Sequence, residues 1–330
     1  MSLMDENEIS ANANGGTELT KRLVGQHIPE DLANEFQIVP SRVRELKEDK
    51  IRIYWAHDLP EDPECKKFSD ENFRNKFHKM VFVSNWQMQR FIEMLRIPWT
   101  EQLQVIENPI NPIEWKDKSN DTINLVYFST PQRGLNVLVP VFEALSNKHD
   151  NIHLHVFSSF KIYGWEDADK QWEPLYNQIR NHPKMTYHGF ADQETLISKL
   201  QEMHILAYPC TWPETSCRVL IESMSAGLFC VHPNIAALPE TSGGITFMYQ
   251  YSQEMKEHAD VFYNYLDKAI ENYKDDHMRG YLKLVKTYTD TRFNINALSR
   301  QWLSLLEELK EKYPTAESRK FQDQMFVYRT

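Results

Sequence analysis

The sequence predicts an α/β protein built as two domains, each a parallel sheet with helices packed on it. Three observations carry this reading. Short runs of β-branched and aromatic residues alternate with longer helical patterns, as βαβ units require. The runs form two series, over 36–107 and 123–232. A stretch dense in Pro, Asn and charge, NPINPIEWKDKSND, separates them and reads as a linker.

In the first series the expected strands are 36–40 (FQIVP), 51–56 (IRIYWA), 79–84 (KMVFVS) and 103–107 (LQVIE). In the second they are 123–128 (INLVYF), 152–157 (IHLHVF), 185–188 (MTYH), 204–208 (HILAY) and 228–232 (LFCVH). After Gly243-Gly244 the strands are expected to stop, and helices follow at about 255–274, 276–289 and 292–312. In the last, Leu298, Trp302, Leu305, Leu306 and Leu309 recur at helical spacing, which predicts a helix docked along one apolar stripe. Domains are therefore expected at 1–117 and 118–290, with a helix at 291–312 crossing back to the first and a polar tail at 313–330. Residues 1–14 are too polar for a buried first strand, so the N-terminal domain is read as either reduced or truncated.

The chain has 330 residues, enough for two ordinary domains, and its formal charge of −10 gives no general attraction to nucleic acid. No apolar run is long enough to span a bilayer, and the first residues have no signal-peptide pattern, so a cytoplasmic location is expected. Cys65, Cys210, Cys217 and Cys230 form no CxxC pair and read as reduced packing residues. His149, His153 and His155 invite a metal reading, but Ile152, Leu154 and Val156 supply the buried face of that strand. The histidines fall on its other side.

Two segments carry chemistry. Gly15 and Gly16 precede the amphipathic stretch ELTKRLVG, where backbone N–H groups could approach a phosphate or a sugar. CTWPETSCRVLIESMSAGLFCVHP is the richer one: Ser216 is the expected N-cap, with Cys217, Leu220, Ile221 and Met224 as the buried helical face. Glu214 then lies outside the helix N-terminus and Glu222 on the helix away from its buried stripe. Such an arrangement can hold a phosphate on amides while carboxylates accept bonds from sugar hydroxyls; an exposed Arg218/Glu222 pair and an incidental loop glutamate is the plainer alternative.

The spacing Glu214-x7-Glu222, followed by Ala226-Gly227, a strand and ALPE at 237–240, resembles the donor-site signature of glycosyltransferase family 4, the group 1 retaining enzymes. GGTE at 15–18, YWAHDLP with His57-Asp58, VFVSNWQ at 81–87, VIENPINP and HGF at 188–190 agree with it in order, over roughly residues 14–310. The resemblance implies the GT-B fold, two Rossmann-like domains facing across a cleft, with a nucleoside diphosphate sugar as donor substrate and no other cofactor. It places Glu214 near the donor sugar, Glu222 on the ribose, Thr215, Ser216 and Cys217 on sugar and diphosphate, and His188, Gly189 and Phe190 on the base. His57 would meet the donor sugar or an acceptor hydroxyl. The family's Gly-Arg…Lys-Gly pattern is altered here: Arg133-Gly134 matches its second half, and Lys161 is the candidate for the other positive charge. The chain is expected to lack an Asp-x-Asp motif that holds a metal on the diphosphate, hence to be a metal-independent hexosyltransferase using a carbohydrate or other hydroxyl acceptor. A sugar-nucleotide epimerase or hydrolase, or a non-catalytic nucleotide-sugar-binding subunit, is the alternative.

Overall fold

The computed structural model describes residues 15–119 and 121–321. The chain divides into two compact units, one of residues 19–109 and 295–321, the other of residues 15–18 and 110–294. The polar segment 1–14 lies outside the described residues.

In the first unit, α1 (Gly16–Gly25, shared with the second unit at its first turn) and α2 (Glu30–Ala33) precede β1 (Phe36–Pro40) and β2 (Ile51–Ala56). Then come α3 (Glu71–Arg74), β3 (Lys79–Phe82), α4 (Asn85–Leu95) and β4 (Leu103–Val105). The sheet is parallel in the order β1-β2-β3-β4. Side chains alternate across a strand, so Ile51, Ile53 and Trp55 join the core on one face, while Tyr54 and Ala56 join Phe82 and Phe91 on the other. Helix Ile295–Lys312 covers the first face with its predicted stripe, Leu298, Trp302, Leu305, Leu306 and Leu309, all buried.

The polar stretch after Lys312, expected to be a tail, is docked as far as it is described. Buried Arg319 donates to the carbonyls of Tyr313 and Asp49 and pairs with Glu35 at 2.8 Å. Its own carbonyl accepts from Arg52, a β2 residue only 1 % exposed. These partners are distant in sequence, so the contact has no local signature.

The second unit contains β5 (Ile123–Phe128), α5 (Leu135–Lys148), β6 (Ile152–Phe157), α6 (Glu173–Asn181), β7 (Met185–Tyr187) and α7 (Gln193–Leu200). It continues with β8 (Ile205–Ala207), α8 (Arg218–Ser225), β9 (Phe229–Pro233), α9 (Leu238–Ser242), β10 (Phe247–Tyr249), α10 (Met255–Asn272) and α11 (Met278–Arg292). Strands therefore do not stop at Gly244. β10 is a three-residue edge strand on β9, too short for a periodic pattern to show it. The parallel order is β10-β9-β8-β5-β6-β7, so the chain winds from β5 first to one side and then, from β8, to the other. The linker-like residues from Ile110 onward group with this unit because Ile110 and Ile113 are buried in its core. Lys118 anchors the same segment, donating to the carbonyls of Ala226 and Gly227 at the end of α8. Among the described residues no helix is long and apolar enough to cross a membrane.

A buried imidazole just before β8 gives one prediction. His204 accepts from the Asn124 amide through Nδ1 and donates through Nε2 to the Ser119 carbonyl. Burial pushes its pKa down to about 4, so it stays neutral in the fold while the unfolded chain, near the ordinary 6.5, takes up a proton first. The stability tied to neutral His204 is full above about pH 6.5 and is lost as pH falls toward 4. The urea midpoint should fall across that window, and His204→Gln should start lower but show a shallower slope.

Candidate functional site

Ligands of open parallel sheets bind outside the carboxyl ends of the strands, where the winding direction reverses. In the second unit that point lies between β5 and β8, and residues following those two strands meet there. After β5 the chain makes a 3-10 turn, Pro131–Arg133, and enters α5 through Gly134. Gly134 has φ +116°, and a Cβ there would lie 2.1 Å from the carbonyl oxygen of Pro209, on the loop after β8. The two loops touch backbone to backbone, which only glycine permits.

This contact brings Arg133 to Glu214. Nη1 of Arg133 donates to Glu214 Oε1 at 2.5 Å, and the Tyr208 hydroxyl donates to the same oxygen at 2.8 Å. Glu214 is 7 % exposed. Its carbonyl accepts from the Ala237 amide, so the ALPE segment fixes the loop from the far side. Burial works to lower the pKa of Arg133, but Glu214, with Tyr163, Tyr208 and Cys210, raises it well above the ordinary value. The guanidinium thus stays charged. Its Nε is buried and has no hydrogen-bond partner.

Glycines 15 and 16 come to the same place, since they group with the second unit. A Cβ on Gly15 would lie 2.6 Å from the Tyr163 ring, and one on Gly16 would be 4.0 Å from the Arg218 side chain. Tyr163 closes the 3-10 turn Phe160–Tyr163 that also holds Lys161. Lys161 itself is 55 % exposed along its side chain and lies 3.4 Å from Glu166, so from this turn it is Tyr163 that shares the electrostatic surroundings of Arg133. Nothing in the local pattern SSFKIYGW distinguishes the two.

The helix after the loop differs in detail from expectation. Cys217, not Ser216, is the N-cap of α8, and Thr215 and Ser216 form the approach to that helix end. The predicted face, Cys217, Leu220, Ile221 and Met224, is buried. So is Glu222, at 3 % exposure. Its Oε1 accepts from Arg218 Nε and Gln193 Nε2, each at 2.7 Å, which binds α8 to the start of α7. A polar residue enters the interior when it is paired, and here one partner comes from another helix. Glu222→Ala should therefore cost about 3 kcal/mol of stability, at the low end for breaking a buried pair because Arg218 keeps some solvent. Glu222→Gln should recover part of that loss in chemical denaturation, because it keeps an acceptor for Arg218 and Gln193.

On the other side of β5, a small cavity of about 50 Å³ opens among Thr130, Phe157, Ser159, Gly189 and Phe190. Thr130 Oγ1 is buried there without a partner. Gly189 turns the chain with φ +69°, and His188 stacks on Phe157 at 4.2 Å. His188 Nε2 and His155 Nδ1 lie 3.0 Å apart. His153 bonds Thr186 instead, and His149 bonds Asp267, so the three strand histidines do not converge. His149, Asp267 and Glu271 could in principle hold a cation, but Lys148 Nζ already bonds both carboxylates.

An Asp-x-Asp tripeptide does occur, against expectation: Asp167-Ala168-Asp169. Asp169 accepts from the Ser159 hydroxyl, the Phe160 amide and the Tyr176 hydroxyl, while exposed Asp167 pairs with Lys170. The first carboxylate pins the Lys161 turn and the second faces solvent. His57, in the first unit, follows β2 and lies tilted against Trp55, with ring centroids 4.7 Å apart; burial, and then Lys21, hold its pKa well below the usual value.

Comparison with known proteins agrees with this geometry. Residues 123–264, within the second unit, match the model of the Glycosyl transferases group 1 family. The chain has the GT-B fold. A glycosyltransferase from Rickettsia africae is similar in structure, with 17 % identity and a TM-score of 0.67 over 92 % of this chain and 84 % of that one. Sucrose-phosphate synthase from Thermosynechococcus elongatus gives 14 % and 0.65, over 90 % and 79 %. HepE of Anabaena, solved in complex with UDP-glucose, gives 15 % and 0.62, over 88 % and 82 %. No curated protein sequence matches the chain.

Proposed function

We propose that this protein transfers a hexosyl group from a nucleoside diphosphate sugar to an acceptor hydroxyl, with retention of anomeric configuration and without a metal ion. The observation that carries the reading is the Arg133–Glu214 pair at the β5/β8 switch point, with Arg133 Nε left unpaired. A guanidinium held charged there can bind the diphosphate and neutralise the charge that develops as the anomeric C–O bond breaks. First-turn amides of α5 and α8 point their partial positive charge toward the same region. The acceptor oxygen bonds to the anomeric carbon on the face the phosphate leaves, and its proton passes to the departing phosphate oxygen. Glu214, its Oε1 already accepting two bonds, offers Oε2 to a sugar hydroxyl. The complexes of structural neighbours with UDP and UDP-glucose support a nucleotide of this class.

The test is incubation of the full chain with UDP-, GDP- and ADP-sugars, with and without a panel of sugar acceptors, in excess chelator. Nucleoside diphosphate and a glycosylated acceptor should form, with the product linkage matching the donor anomer. Release without any acceptor would favour a hydrolase or epimerase. Activity abolished by chelation and restored by magnesium or manganese would remove the metal-free mechanism.

A further inference from the structure

Of two exposed tryptophans in the second unit, one stands beside the Arg133–Glu214 pair. Trp212 is 44 % exposed and Trp165 62 % exposed. Trp212 sits two residues before Glu214 on the same loop, with its ring centroid 5.9 Å from the Arg133 guanidinium carbon. Trp165 packs against Tyr163, with ring centroids 5.2 Å apart.

The loop does not leave Trp212 outward by default. Cys210 Sγ donates to the Trp212 carbonyl at 3.2 Å, and the Thr211 hydroxyl donates to the Gln132 carbonyl at 3.4 Å. Pro213 follows, and Glu214 is tied on both its side chain and its carbonyl. The indole is therefore presented on a fixed backbone. Its approach to Arg133 lies at the outer edge of useful cation–π range, so holding the guanidinium does not explain it. An exposed aromatic face at low entropic cost does suit a ligand with an apolar C–H face and a rim of hydroxyls, which is what a pyranose ring presents.

We propose that Trp212 is the stacking platform for the hexopyranose ring held at the Arg133–Glu214 site, covering the ring's C–H face while Glu214 takes its hydroxyls. The inference rests on the nucleotide-sugar reading above. Its chemistry fits the donor's hexosyl ring and an acceptor sugar alike, and experiment separates the two.

Binding of UDP and UDP-glucose, with GDP and GDP-mannose in parallel, is measured by calorimetry for the full chain and for Trp212→Ala, Trp212→Phe and Trp165→Ala. The nucleotide sugar should bind Trp212→Ala about three- to tenfold more weakly than wild type while the bare diphosphate binds unchanged. Trp212→Phe should recover most of the loss, and Trp165→Ala, a more exposed control, should shift neither ligand. If the change appears only when methyl glucosides are added to the UDP complex, the platform serves the acceptor ring. Equal sugar affinity in wild type and Trp212→Ala, for donor and glucoside alike, would overturn the assignment while leaving the donor site intact. Failure of every nucleotide to bind wild type would bring down the functional reading, and this inference with it.

Discussion

Arg133→Ala should lower turnover by about 10²- to 10³-fold, the size of effect seen when one preorganised donor to a developing anion is removed. Burial makes this variant costly in a second way. Glu214 is left with Tyr208 as its remaining side-chain donor, and an unpaired carboxylate in a site 7 % exposed is expected to cost about 3 kcal/mol. Two variants separate the effects. Arg133→Lys keeps a charge but loses the planar fork, so it should retain part of the activity. Pairing Arg133→Ala with Glu214→Gln removes the stranded charge, and should recover stability without recovering turnover. Activity recovered together with stability, measured by initial rates and urea unfolding on the same samples, would mean that Arg133 acts only as a structural partner.

Gly134→Ala should be the most disruptive change of a single methyl group in the second unit. The residue has φ +116°, and the added Cβ would meet the Pro209 carbonyl oxygen at 2.1 Å, where neither side is a flexible side-chain end. Backbone strain of about 1–3 kcal/mol adds to the cost of parting two loops. A fall in melting temperature of roughly 10 °C follows for a unit of this size. Because the parted loops carry Arg133 and Glu214, turnover should fall further than stability alone dictates. Gly164→Ala is the comparison: it also has positive φ, 75°, but nothing lies within 4 Å of its Cβ. Its loss should be smaller, and equal losses at the two positions would mean that loop contact is not what matters at 134.

These residues also show what the sequence could and could not disclose. Strands 36–40, 51–56, 123–128 and 152–157 are visible as apolar runs and match the observed elements end to end. The α8 face is visible for the same reason, since helical spacing determines which side chains are buried together. Features set by distant partners leave no such trace. Glu222 looks like a surface residue because its second partner, Gln193, is on another helix. Tyr208 reads as the end of a strand, yet its hydroxyl is a donor to Glu214. Tyr163 and Lys161 share one turn, and only the fold distinguishes the phenol that lies in the electrostatic surroundings of Arg133 from the amine beside Glu166. Asp167-Ala168-Asp169 has the form of a metal motif, and its hydrogen bonds give it another role.

The most direct test of the account is a calorimetric titration of the full chain with UDP, GDP and ADP in excess chelator, repeated with Arg133→Ala. One nucleoside diphosphate should bind at a single site, more weakly as salt rises because an ionic contact is screened, and its binding should be lost or weakened at least tenfold in the variant. If none of the three binds, or if the variant binds as tightly as wild type, the site between β5 and β8 is not a diphosphate site.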